Sequence, residues 1–285
     1  MSNSMMELNF EWIPLQPYNN AELDQAQQEL HHALQFIALS GKYLLTTKAD
    51  DSNTNAGWDE KSNSFIGRLI GDKLHVALYA AAFQLQVLNK EHEVLYRLSL
   101  DKKTVFECFL WLKEIFRQEG ISTRNLELGL HYELPEAFSK DRRFRMPSFE
   151  LLKELSFHRT NTDRMLKSVK KQTDNASEIR TWPHHFDHAL LIPIEIGAKG
   201  EILRSCGLGY AINDDLISEP YLYVNRWSKN SGLKFTDKPK LKHGSWYPEK
   251  LKGAALPFSK IINAEKQDQV VGEFISNVLN FSLNN

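Results

Sequence analysis

The sequence has little of what usually announces a function. It holds two cysteines, Cys108 and Cys206, far apart and each set among apolar residues. No CxxC spacing occurs, which excludes a disulfide framework and a thiolate zinc finger. Both thiols are expected to be reduced and buried, as in a cytoplasmic protein. Long apolar runs are missing as well. The longest uncharged one, Leu74 to Leu88, is shorter than the about 18 residues a spanning helix requires, and Lys73 and Lys90 bound it. No membrane association is expected. Charge of one sign is not in excess: 35 basic residues stand against 36 acidic ones, for a net charge of -1. A general nucleic-acid binder needs a basic face to displace counterions, so no nucleic-acid partner is expected. Residues Met1 to Glu7 carry neither a basic region nor an apolar core, so no secretory signal is expected. No Walker loop, G-x-S-x-G elbow or HExxH is present. Gly207-Leu208-Gly209 opens like a dinucleotide fingerprint, but Ile212 stands where the third glycine belongs and no helix follows. Nucleotide cofactors are thereby set aside.

What is present is periodicity. The 285 residues are 42% hydrophobic and 25% charged, an ordinary globular composition. Leu23, Ala26, Leu30, Leu34 and Ile37 recur at helical spacing behind Asn20, predicting a helix to about Leu39. His31 and His32 fall beside Gln27, Gln28 and Gln35, on the side read as polar and exposed. Asp51, Asn53 and Asn55 alternate as in a calcium loop, but Ala56 and Ser62 occupy the positions that need glycine and a bidentate acid, so the stretch reads as a loop. Ser64 to Leu100 alternates with period two, with a tight turn at Gly71-Asp72, and predicts an antiparallel meander. Thr104 and Glu107 have capping-box spacing and open a helix that Gly120 stops. Leu126 to Tyr132 alternates like another half-buried strand. Ser148 caps a helix to about Val169, whose Arg159, Arg164 and Lys167 to Lys171 read as a solvated basic face. Leu190 to Ile196, Ile202 to Ala211, Tyr221 to Trp227 and Gly253 to Phe258 read as strands, and Asn263 as the cap of a closing helix.

The expected fold is α+β: antiparallel meander sheets with helices packed on one face. The chain reads as a single continuous unit over residues 1–285, with two similarly ordered halves at 21–140 and 148–282. Gly207 and Gly209 share a strand face and let another group approach the backbone closely.

Chemistry concentrates in the run Arg180 to His188, which holds three of the ten histidines, Asp187, Trp182 and Phe186. Read as strand, it puts His184, Phe186 and His188 on one face and His185 with Asp187 on the other. His185 and Asp187, completed by His243, are the candidate ligands for a metal, a two-histidine, one-carboxylate set. A second cluster is Tyr221, Tyr223, Asn225 and Trp227, which share a face at period two. Asp214, Asp215 and Glu219 precede it, where turn chemistry and acid–base chemistry are both open readings.

Trp182-Pro183-His184-His185-Phe186-Asp187, Glu219-Pro220-Tyr221-Leu222-Tyr223-Val224 and Gly253-Ala254-Ala255-Leu256-Pro257 resemble motifs of a family of uncharacterised bacterial proteins. Ser40-Gly41-Lys42 and Asp50-Asp51-Ser52-Asn53 fit it too, so the resemblance runs from about Leu30 to Phe258. It implies a cytoplasmic bacterial protein forming one unit, and it carries no activity, substrate or catalytic residue.

Three functional readings follow. The first is a small-molecule-binding protein with a pocket in the C-terminal half, walled by Tyr221, Tyr223 and Trp227 with Trp182, His184 and His185 at the rim. The second is a metal-dependent enzyme using His185, Asp187 and His243. The third is a non-catalytic interaction protein. No oligomeric state is implied.

Overall fold

A computed structural model describes residues 6–230 and 232–284. Among these the chain forms five α-helices and two antiparallel sheets, the expected α+β class. They fall into two compact units that interleave in sequence. A meander unit takes 18–156 and 180–186, and a C-terminal unit takes 6–17, 157–179 and 187–284.

The meander unit begins with α1 (Asn20–Leu44). Its cap is Asn19, one residue before the expected one, whose side chain accepts from the amides of Ala21 and Glu22. The helix runs past Ser40-Gly41 because the 48–54 loop packs against it there. A Cβ on Gly41 would stand 2.1 Å from the Asn53 carbonyl oxygen, and Asn53 Nδ2 donates to the Gly41 carbonyl at 3.1 Å. The side of α1 read as exposed is in fact buried, Gln27, His31, His32 and Gln35 included. For His31, His32 and Gln35 burial is tolerated because each finds an acceptor far away in sequence.

Five strands follow: β1 (Gly57–Asp59), β2 (Ser64–Ile66), β3 (Leu74–Tyr79), β4 (Gln84–Asn89) and β5 (Val94–Ser99), hydrogen-bonded in chain order. Gly71 and Asp72 turn between β2 and β3 with φ of 57° and 54°, a left-handed conformation that glycine and aspartate tolerate. The capping box of α2 (Val105–Gln118) forms as predicted, with Glu107 N donating to Thr104 Oγ1 at 3.1 Å and Thr104 N to Glu107 Oε2 at 2.7 Å. The strand expected over Leu126 to Tyr132 does not form. The Gly129 carbonyl, which a ladder would need, accepts instead from Lys42 Nζ (2.6 Å) and Tyr43 OH (2.9 Å). α3 (Phe149–Lys170) starts at Ser148 as expected. Its residues through Ser156 count with this unit and those from Phe157 with the other. β6 (Arg180–Thr181) bridges to Ala56 by two mutual backbone hydrogen bonds of 3.1 and 2.7 Å.

In the C-terminal unit, β7 (His188–Ile196), β8 (Ile202–Ala211), β9 (Tyr221–Ser228), β10 (Ser245–Tyr247) and β11 (Gly253–Pro257) pair antiparallel in the order β10-β11-β9-β8-β7. Leu190, Ile192, Cys206, Leu208, Tyr210, Leu222, Val224, Ala254 and Leu256 form one sheet face, buried with Met165, Leu166 and Val169 of α3. The closing helix does not start at Asn263. A short α4 (Phe258–Ile262) comes first, with Asn263 at its C-terminal end, and α5 (Gln267–Asn284) follows. Glu219 holds the start of α4, its carboxylate accepting from Ser259 N (2.7 Å) and Ser259 Oγ (2.8 Å). Val271, Phe274, Ile275 and Val278 of α5 reach the core as their spacing predicts.

Residues 6–17 form no strand, yet side chains tie them down as a strand would be. Asn161 accepts from Ile13 N and donates to Ile13 O, both at 2.8 Å. Gln267 accepts from Leu15 N (2.8 Å) and Trp12 Nε1 (2.9 Å) and donates to Leu15 O (3.0 Å). No helix among the described residues is long and apolar enough to cross a membrane.

The helix face read as basic and solvated is exposed at Lys167, Lys170 and Lys171 and departs from that reading at Arg159. Arg159 is buried, its guanidinium 4.5 Å above the Tyr210 ring. Lys167 pairs with Asp163 at 2.5 Å, and the other oxygen of Asp163 lies 3.4 Å from Nε2 of fully buried His188. His158, also fully buried, packs 4.3 Å from Phe258. Burial, then the Arg159 charge, push its pKa down from 6.5 to about 3. His158 is therefore neutral in the folded chain but takes a proton in the unfolded chain below pH 6.5. Its contribution is complete above 6.5 and is lost as pH falls toward 3, by up to about 1.4 kcal/mol per pH unit. Urea unfolding of wild type should show stability falling from pH 7 to 5, with a shallower slope in His158→Phe. Equal slopes would contradict this assignment.

Candidate functional site

The run Trp182 to His188 is not a continuous strand. Pro183 supplies a fixed φ and no N–H, and the chain closes a turn in which Phe186 N donates to the Trp182 carbonyl at 2.8 Å. Phe186 sits at φ 57°, a conformation that costs a bulky residue free energy. Its ring offsets that cost by burial, stacked on His31 at 5.2 Å and beside Phe65 at 5.5 Å. Strand geometry begins only at His188, so the alternation expected for His184 to Asp187 is replaced by turn geometry.

The polar side of α1 receives this turn. The Pro183 carbonyl accepts from His31 Nε2 (2.7 Å) and from Gln35 Nε2 (2.9 Å). Gln35 Nε2 also donates to the His31 carbonyl (2.8 Å), while Gln35 Oε1 accepts from Tyr132 OH at 2.6 Å. One buried amide thus fixes a helix, a turn and an irregular segment. Around it the meander unit gathers a histidine and aromatic cluster. Tyr132 lies 5.8 Å from His184, Trp182 lies 6.2 Å from His184, and the His184 and His185 rings are 4.4 Å apart. His131 Nε2 stands 3.2 Å from Asp51 Oδ2, with both side chains partly open to solvent. Burial and the neighbouring histidines push the His184 pKa down and favour the neutral ring, against an opposing upward pull from Asp51. A neutral imidazole beside an oriented imidazole–carboxylate pair can accept or relay a proton. Sequence reading found Trp182, His184 and His185 but not Asp51, His131 or Tyr132. Those sit in a loop and a failed strand, and no local spacing links them to the turn.

In the C-terminal unit the ladder sorts β9 as its alternation predicts. Tyr221, Tyr223, Asn225 and Trp227 pair with Ala211, Gly209, Gly207 and Ser205 on β8. On the other side Tyr223 and Asn225 meet Ala255 and Gly253 of β11, and Gly209 meets Ala189 of β7. Cross-strand partners share a face, so the aromatic side chains rise from a floor of glycine and alanine. Gly209 is needed there against backbone, whereas Gly207 makes room for the Asn225 side chain. A Cβ on Gly209 would come 2.3 Å from the His188 carbonyl oxygen, and one on Gly207 2.5 Å from Asn225 Oδ1.

Tyr223 donates its hydroxyl to Asp187 Oδ2 at 2.9 Å, and Tyr221 to Asp214 Oδ2 at 2.6 Å. Burial first, then these carboxylates, push both phenol pKa values up, so each remains a donor. Asp214 also accepts from the amides of Leu216 and Ile217, which is turn chemistry. Trp227 stays half open at 48% exposure.

The candidate metal ligands are engaged elsewhere or exposed. Asp187 accepts from Tyr223, His243 Nε2 lies 3.4 Å from Glu273 Oε2, and His185 is exposed in the turn. Among the described residues no three His, Cys, Asp or Glu side chains are grouped so as to hold a metal ion. Cys108 and Cys206 are free thiols, and burial pushes both up to about 12, which leaves neither a nucleophile near neutral pH.

Comparison of the chain with family models, with curated proteins and with solved structures gives no match.

Gln35→Leu removes the acceptor of Tyr132 OH and a donor to Pro183 O. Pro183 O keeps His31 but Tyr132 OH is left unsatisfied, at about 1–3 kcal/mol, so urea denaturation should show a loss of about 1–3 kcal/mol. A loss below about 0.5 kcal/mol, the scale of an ordinary surface change, would contradict the role given to this amide.

Proposed function

We propose that this is a small-molecule-binding protein whose ligand lies on the tyrosine face of the C-terminal unit. The observation that carries the reading is the small-residue floor. Gly207, Gly209, Gly253, Ala189 and Ala255, on the face of Tyr221, Tyr223 and Trp227, carry no side chain larger than a methyl group. Such a floor suits a flat or ring-shaped ligand, which gains area against aromatic faces and orientation from a few polar tips. Asn225 supplies a donor and an acceptor on the same face, and Asp187 is oriented by Tyr223. The half-open Trp227 indole is accessible to a bound ring.

A thermal-shift screen of metabolite classes tests it with wild type, Trp227→Ala and Gly209→Ala. A planar or sugar-like class should stabilise wild type and lose its effect in Trp227→Ala. Gly209→Ala fills the floor, so any variant that folds should also lose the shift. If no class stabilises wild type, the reading fails.

A further inference from the structure

The opposite face of the same two strands ends in a cationic cleft. Arg226 pairs with Cys206 and Ser228 with Arg204, which puts Arg204, Arg226 and Ser228 on the core side, away from the tyrosines. With Lys234 and Thr236 from the following loop they line a cavity of about 360 Å³. That lies near the lower end of small-molecule sites, which span roughly 300–1,000 Å³.

Arg226 is the unusual member. It is only 3% exposed, yet it makes no ion pair among the described residues. Its Nη1 donates to the Lys234 carbonyl at 3.1 Å, and its buried Nε has no acceptor among the described residues. Phe235 and Phe281 flank the guanidinium, each ring centre 5.6 Å away. The fork is thus held rigid by aromatic rings while donor capacity remains unused. Among the described residues no carboxylate lines the cleft. Glu195 neighbours Arg204 in the ladder without forming an ion pair with it, and Glu201 is engaged with Lys229 at 3.9 Å. Burial, then the Arg204 charge, lower the Arg226 pKa. Guanidinium nevertheless stays protonated at neutral pH, so the cleft remains charged.

We propose that this cleft binds the phosphate group of a small phosphorylated molecule. Three cationic side chains match a dianion better than a carboxylate, and the planar guanidinium forks suit two phosphate oxygens each. Ser228 and Thr236 supply neutral hydroxyl donors at the rim. The inference is independent of the tyrosine-face reading, because it uses other residues on the other face.

Isothermal titration with inorganic phosphate, at constant ionic strength and with acetate and chloride as controls, tests it on the full chain. Wild type should bind phosphate saturably and in preference to acetate. Lys234 is exposed and Arg204 partly buried, so circular dichroism and urea unfolding of Arg204→Gln and Lys234→Gln accompany the titrations. Each substitution should weaken phosphate binding about tenfold, the effect of one charge-assisted hydrogen bond. Lys229→Gln, outside the cleft, should bind as wild type does. Absence of saturable binding, equal affinity for acetate, or unchanged affinity in both Arg204→Gln and Lys234→Gln would overturn the proposal.

Discussion

The register of β8 against β9 is the constraint on which the C-terminal unit depends. A ladder has a side-chain period of two, so a slip of one residue exchanges its faces completely. In the observed register Cys206, Leu208, Tyr210, Leu222 and Val224 go to the core. Arg204, Arg226 and Ser228 continue that face beyond its apolar part. Tyr221, Tyr223, Asn225 and Trp227 take the other face. Gly209 fits the arrangement closely, because a Cβ there would stand 2.3 Å from the His188 carbonyl oxygen of the neighbouring strand. A slipped strand would set Leu208 and Tyr210 on the tyrosine face and strip the core of its largest buried ring. Burying one such apolar side chain is worth about 1.5–3 kcal/mol, so exposing several exceeds a typical margin of stability.

The meander unit rests on a different device. Its central helix is polar on a side that is nonetheless buried, and it works because each amide and imidazole finds a specific carbonyl. Gln35 serves three partners and His31 a fourth contact, so the 182–186 turn is held by hydrogen bonds and one stacked ring rather than by strand pairing. Buried polar networks of this kind specify one arrangement well, since any alternative packing leaves several groups unsatisfied. The same fixation brings His184, Trp182 and Tyr132 into one cluster. The segment 6–17 is handled alike, with Asn161 and Gln267 acting as short pieces of backbone.

Local rules were legible where local interactions decide. Thr104 and Glu107 cap each other three residues apart, Gly71-Asp72 turns within its own hairpin, and the alternation of β7, β8 and β9 reads directly as two faces. The close approach expected at Gly207 and Gly209 is present for the stated steric reason. The misreadings share one cause. His31 and His32 look exposed because their acceptors, Pro183 and Glu136, lie 152 and 104 residues away. Leu126 to Tyr132 alternates like a strand, but side chains from α1 occupy the Gly129 carbonyl. The histidine run reads as strand until Pro183 and the left-handed Phe186 turn it. Arg226 carries no signal at all, since nothing in a strand of mixed residues marks one arginine as buried between Phe235 of the following loop and the distant Phe281.

The register itself is open to direct measurement by nuclear Overhauser effects in the isotope-labelled protein. The observed pairing predicts contacts between the methyl groups of Leu208 and Val224, and between the Tyr223 ring and the α-protons of Gly209. Contacts of the Tyr223 ring with the Leu208 methyl groups instead would place the two on one face and contradict the two-faced ladder.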